Sequence, residues 1–137
     1  MKSIKDKEKT LLEDFAMLPE WEDKYNYIMD LRAELPRIAP GDKNEKTRVE
    51  GCQSASWLKA EKRDGRLYFT GDSEAILGQG VISMLLHLVN GHTPEEIAAY
   101  DFYLVDAIGL PQHLSPTRRM GLASVIQRIK TLAHENV

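Results

Sequence analysis

Cysteine is nearly absent: the 137-residue chain holds 1, Cys52. An intrachain disulfide is therefore impossible, and CxxC redox chemistry and a multi-cysteine metal site are excluded with it. The 4 histidines (His87, His92, His113, His134) show neither HExxH nor HxxxH spacing, which speaks against a zinc centre. Basic excess is missing too. With 18 Lys and Arg against 21 Asp and Glu the net charge is -3, so a nucleic-acid partner, which needs a basic face, is not expected. Apolar runs are short. The longest, around Val81 to Val89, is broken by Ser83 and His87 and falls below the ~18 residues of a spanning helix. The N-terminus, Met1 to Lys9, is too charged for a secretory signal. The expectation is a chain with no membrane partner and a cytoplasmic location, where a lone thiol stays reduced.

What is present is ordinary for a globular domain. Hydrophobic residues make up 42% and charged residues 28%, and the length suits a single domain over residues 1–137. Ile4, Leu11, Leu12, Phe15 and Leu18 share one face of a first helix over Ser3 to Leu18, with Pro19 as its stop. A second helix is expected from about Glu20 to Leu35, ended by Pro36. Arg37 to Lys46 has no periodicity and reads as a loop. Ser56 to Lys62 and Arg66 to Thr70 alternate as strands around Asp64-Gly65, a dipeptide suited to the positive φ of a tight hairpin. A shorter strand is expected around Arg48-Val49-Glu50, giving an antiparallel sheet of about three strands. Gly71-Asp72-Ser73 then reads as a turn and cap. Ala75 to Asn90, apolar nearly all round, reads as a buried central helix in which His87 is a core histidine. Thr93-Pro94-Glu95-Glu96 is a capping box, and Ser115-Pro116 opens a last helix. Strands segregated from helices make the fold class α+β, a small antiparallel sheet packed against helices.

Chemistry centres on Cys52, in Val49-Glu50-Gly51-Cys52-Gln53-Ser54. A lone free cysteine is more often a small buried hydrophobe than a reactive group. Here, though, glycine precedes it and polar Gln53 and Ser54 follow, which is not the setting of a core cysteine. A cysteine hydrolase would need a histidine base, for which His113 and His87 are available. A sulfur carrier needs less: one accessible thiol, some depression of its pKa and a docking surface. Arg118 and Arg119 open the last helix, where cations oppose the helix dipole. They are either solvated or face an anion: a thiolate, a persulfide or a carboxylate such as Glu74. Asp72 and Glu74 otherwise read as capping groups of the central helix.

These residues stand in an order that resembles the SufE family of sulfur-acceptor proteins. The matching stretches are Gly51-Cys52-Gln53-Ser54-Ala55-Ser56-Trp57, Trp21-Glu22-Asp23-Lys24-Tyr25, Gly71-Asp72-Ser73, Thr93-Pro94-Glu95-Glu96-Ile97, Gln112 to Arg118 and Gly121-Leu122. The resemblance implies an α+β fold similar to IscU-type scaffolds, without their three metal-binding cysteines. It implies a protein that is not itself an enzyme and needs no cofactor. The partner is a cysteine desulfurase of the SufS or CsdA type, which carries pyridoxal phosphate (PLP) and is stimulated by the carrier. The receiver is a SufBCD-like iron–sulfur assembly complex. The family's acceptor cysteine maps onto Cys52 and its arginine near the C-terminus onto Arg118, not Arg119. Partner contact is expected from Gly51, Gln53, Ser54, Glu74 and His113. Glu74 departs from the aspartate common in the family, and Ala55 and Met120 replace residues that are more often larger or polar. The expected cycle has the Cys52 loop tucked toward an apolar pocket at rest and swung outward on docking. The alternative from another class is a hydrolase using Cys52 and His113; a third is a binding module that only activates the desulfurase.

Overall fold

The computed structural model describes residues 2–137. Helix α1 (Ile4–Ala16) opens on a capping box in which Ser3 accepts from the Asp6 N–H and Asp6 accepts from the Ser3 N–H. Its buried stripe contains a carboxylate, Glu8, 4% exposed. The charge is tolerated because the Tyr100 hydroxyl and the Leu104 N–H both donate to it. Helix α2 spans Trp21–Asp30 and tightens into a 3₁₀ turn over Leu31–Glu34. The expected helix to Leu35 therefore ends in a narrower last turn, a common response to an approaching proline.

The hairpin pairs β1 (Ser56–Arg63) with β2 (Arg66–Ser73) from Arg63↔Arg66 out to Ser56↔Ser73. Its turn residues, Asp64 and Gly65, have φ of 52° and 78°, as the dipeptide predicts. The sheet has two strands rather than about three. The segment around Arg48 lies where the third was expected but makes only an isolated bridge to Trp57. The Val49 N–H donates to the Ser56 carbonyl at 2.8 Å and the Leu58 N–H to the Thr47 carbonyl at 2.9 Å. Gly51, at φ 93°, then turns the chain away. Gly71 to Ser73 also differ from expectation, since they continue β2 instead of turning.

Helix α3 (Ile76–Val89) is the centre of the packing, against β2, α2, α1 and the last helix. Met84, Leu85, Leu86, Leu88 and Val89 have no exposed surface. His87 departs from the expectation of a core residue: it is exposed, between buried Leu86 and Leu88. The buried histidine is His92, 2% exposed, just beyond the helix. Helix α4 (Pro94–Ala99) starts with the expected Thr93/Glu96 capping box. Helix α5 (Tyr103–Ala107) follows. Helix α6 (Pro116–Glu135) starts with Ser115 accepting from the Arg118 N–H. No helix of the described residues is long and apolar enough to cross a membrane.

Asp72 is not a helix cap. It is buried at the end of β2, where Lys43 donates at 2.7 Å and Arg37 at 2.9 Å to its two oxygens. Burial alone would raise its pKa; the bonds from Lys43 and the Ser73 N–H, with the charges of Lys43 and Arg37, outweigh burial and hold it below the usual carboxylate value. A carboxyl whose native pKa is depressed adds stability above its unfolded value, about 3.9, and loses it as pH falls through the native value. Asp72→Asn is thus expected to flatten the loss of stability on acidification, read as chemical-denaturation midpoints from about pH 6 downward. A slope in the variant equal to the unsubstituted chain's would contradict this.

Candidate functional site

Two short bonds between the segment at Thr47–Val49 and β1 bring the chain to Gly51 beside α6. A β-carbon at Gly51 would collide with the Ser124 hydroxyl and lie 3.3 Å from the Ser124 β-carbon, and the backbone there is left-handed. Glycine is therefore required twice over, for its φ and for the close approach. The next residue, Cys52, is half-buried and directs its sulfur at α6, where the thiol donates to the Gly121 carbonyl at 3.6 Å. A β-carbon at Gly121 would touch the sulfur at 3.7 Å, so the bare helix at that point forms the seat.

The sulfur lines a cavity of about 200 Å³. Leu77, Val81, Ile82, Leu122 and Val125 supply an apolar floor from α3 and α6; Gln53 and Ser54 form part of the rim. The polar groups inside are few. They include the hydroxyls of Ser56 and Ser73, 4% and 3% exposed. Burial raises the pKa of the Cys52 thiol, and a hydrogen bond from Ser56 and the charge of Arg48 offset this only in part. The sulfur-carrier reading calls for some depression of this pKa, which the seat of the thiol here does not supply.

Of the other residues singled out by sequence, Arg118 lines the cavity and Arg119 does not. Glu74 is exposed at the end of β2, its N–H donating to the Ala55 carbonyl at 2.9 Å, and is not part of the cavity wall. His113 lies outside the cavity as well. Its ring stacks on Trp21 at 4.0 Å with 12° between planes, and its Nδ1 is 2.8 Å from the Gly109 carbonyl. Sequence reasoning missed Ser56 and Ser73. The signal was available, because extending the register from the Asp64-Gly65 turn sets Ser56 opposite Ser73.

Cys52 is thus a half-buried cysteine on a glycine turn over an apolar cavity. The family model described as "Fe-S metabolism associated domain" matches residues 9–133. The chain belongs to the SufE family. An uncharacterized SufE-like protein of Rhizobium meliloti is 36% identical over 90% of this chain and 91% of its own. Another, of Rhizobium etli, is 34% identical over 88% of this chain and 84% of its own. The solution structure of a hypothetical protein from Thermus thermophilus shares the fold, with a TM-score of 0.79 over 95% of both chains at 23% identity. SufE membership places the protein in iron–sulfur metabolism, in a sulfur-related role.

Proposed function

We propose that this SufE protein is a persulfide carrier whose acceptor is Cys52. The observation that supports the reading is the seat of that thiol. It is partly enclosed over an apolar cavity, held by a long bond to Gly121, and carried on a turn that Gly51 makes possible. Such a thiol is protected from oxidation past the sulfenic stage while retracted. Once the loop swings out, desolvation is relieved and the thiolate fraction rises.

The partner is a cysteine desulfurase of the SufS or CsdA type, which brings its own PLP. The exposed Cys52 thiolate attacks the outer sulfur of the desulfurase persulfide. A new S–S bond forms on Cys52, the S–S bond of the donor breaks, and the desulfurase cysteine leaves as a thiolate, so no external oxidant or reductant is consumed. Removal of sulfur from the desulfurase frees it for another turnover. The Cys52 persulfide then passes its outer sulfur to a thiol of a SufBCD-like assembly complex. Gly51, Gln53, Ser54 and Arg118 surround the sulfur on the docking face, with Glu74 and His113 outside the cavity as further contacts. The hydrolase alternative requires a base beside the sulfur, and the ring of His113 is stacked on Trp21 instead.

The test is turnover of a SufS-type desulfurase supplied with PLP and cysteine, with and without this protein. Stimulation of sulfide or alanine release is expected. No change in turnover with either a SufS- or a CsdA-type enzyme would contradict the reading, as would unaided hydrolysis of a small acyl ester that depends on Cys52.

A further inference from the structure

The segment that carries Cys52 is pinned at its two ends. The Val49 N–H donates to the Ser56 carbonyl at 2.8 Å, and the Glu74 N–H donates to the Ala55 carbonyl at 2.9 Å. Between these pins lie Glu50 to Ser54. Gln53 and Ser54 are exposed, and among the described residues neither donates a backbone–backbone hydrogen bond. A stretch with so few backbone bonds opens easily unless something else fastens it. The fastening is to α6. Glycine at position 51 lets the backbone come close to Ser124, and the Cys52 thiol donates to the Gly121 carbonyl at 3.6 Å.

That bond depends on the proton of Sγ. A carbonyl oxygen accepts and cannot donate, so the sulfur must supply the hydrogen. The unloaded thiol has one. Loading removes it: the thiolate attacks the donor's outer sulfur, an S–S bond forms on Sγ, and the donor leaves as a thiolate. Sγ then has the β-carbon on one side, the outer sulfur on the other and no hydrogen. Its lone pairs face those of the Gly121 oxygen, and the attraction between them is lost. Deeper in the cavity the outer sulfur would meet Leu77, Val81 and Ile82, which give a negative group no partner. Arg118, the charged residue of the lining, is exposed, so it meets an anion toward solvent and not inside.

We propose that the Gly121 carbonyl distinguishes the empty carrier from the loaded one: it retains Cys52 in its seat as a thiol and releases the loop once Sγ carries a second sulfur. Loading thus turns the outer sulfur toward the receiving thiol. Gly121 is a positioning residue, and its place in a transfer cycle rests on the carrier reading above.

The experiment is nuclear magnetic resonance of the full chain, unloaded and loaded, beside Cys52→Ala and Cys52→Ser. Loading uses sodium polysulfide: the Cys52 thiolate takes up a sulfur atom, a shorter polysulfide leaves, and intact mass confirms the product. Because the protein has 1 cysteine, the product has one site. In the unloaded chain, proton–proton contacts between Cys52 and Gly121 are expected, with Gln53 and Ser54 amides at the order parameter of a rigid backbone, about 0.85. Loading and Cys52→Ala both remove the Sγ proton. Both are expected to abolish the contacts to Gly121 and to lower those order parameters below about 0.6. Cys52→Ser keeps a proton to donate and is expected to stay ordered. Ile129 and Ala133, buried in α6, are expected to keep their values in every form. A loaded chain that retains the contacts between Cys52 and Gly121 overturns the proposal. A Cys52→Ser loop as mobile as that of Cys52→Ala overturns it as well. The loaded form is made from the unsubstituted chain, so the test stands even if a variant fails to fold. No desulfurase enters it, so failure of sulfur transfer and failure of this assignment are read separately.

Discussion

Cys52→Ser is expected to abolish sulfur uptake while leaving the fold unchanged. Serine keeps the shape of cysteine with a smaller oxygen in place of the sulfur, but its hydroxyl does not ionise usefully near neutral pH and cannot form an S–S bond. The structural loss is small, because the sulfur is half-buried and its bond to Gly121 is long. Thermal unfolding is therefore expected to report a change of less than about 1 kcal/mol. Stimulation of the desulfurase should disappear together with sulfur uptake. If the variant still stimulated the enzyme fully, the protein would be an allosteric activator and not a carrier.

The second large effect concerns stability, and two physical terms oppose each other in it. Gly80 lies inside α3, where alanine is favoured over glycine by about 1 kcal/mol on helix propensity alone. A β-carbon there would press on the Ile28 carbonyl oxygen and lie 3.0 Å from the Ile28 carbonyl carbon and 3.2 Å from its Cγ2. That carbonyl is backbone of α2, and Ile28 has no exposed surface, so neither rotation nor displacement into solvent relieves the contact. Overpacking of this kind costs about 1–3 kcal/mol, and a backbone obstacle puts it at the upper end. Gly80→Ala is thus expected to destabilise by about 2 kcal/mol in urea unfolding. A variant more stable than the unsubstituted chain would show that α2 and α3 do not cross this closely.

Local signals are legible in the sequence because each acts within a few residues. Asp64-Gly65 sets the hairpin turn, Thr93 and Glu96 close their capping box, and Ser115 caps α6. The Cys52 motif is legible for the same reason, since Gly51 lies beside the cysteine it positions. Features that depend on distant segments are not. The third strand shrinks to one bridge because the turn at Gly51 removes the chain from the sheet. Asp72 reads as a cap in the sequence because Arg37 and Lys43, which hold it, are far away along the chain. His113 reads as an available base because nothing near it in sequence announces Trp21 of α2, which stacks on its ring. The rise in the Cys52 pKa belongs to the same class: neighbouring residues are polar, and the burial that decides the direction comes from α3 and α6.

The most direct measurement is mass spectrometry of the intact chain and its Cys52 peptide after incubation with a SufS-type desulfurase, PLP and isotopically labelled cysteine. Transfer of a single labelled sulfur atom to Cys52, removable by a reducing thiol, is the predicted result. Turnover of the desulfurase with no label on Cys52, or with label on any other residue, would contradict the assignment of this thiol as the acceptor.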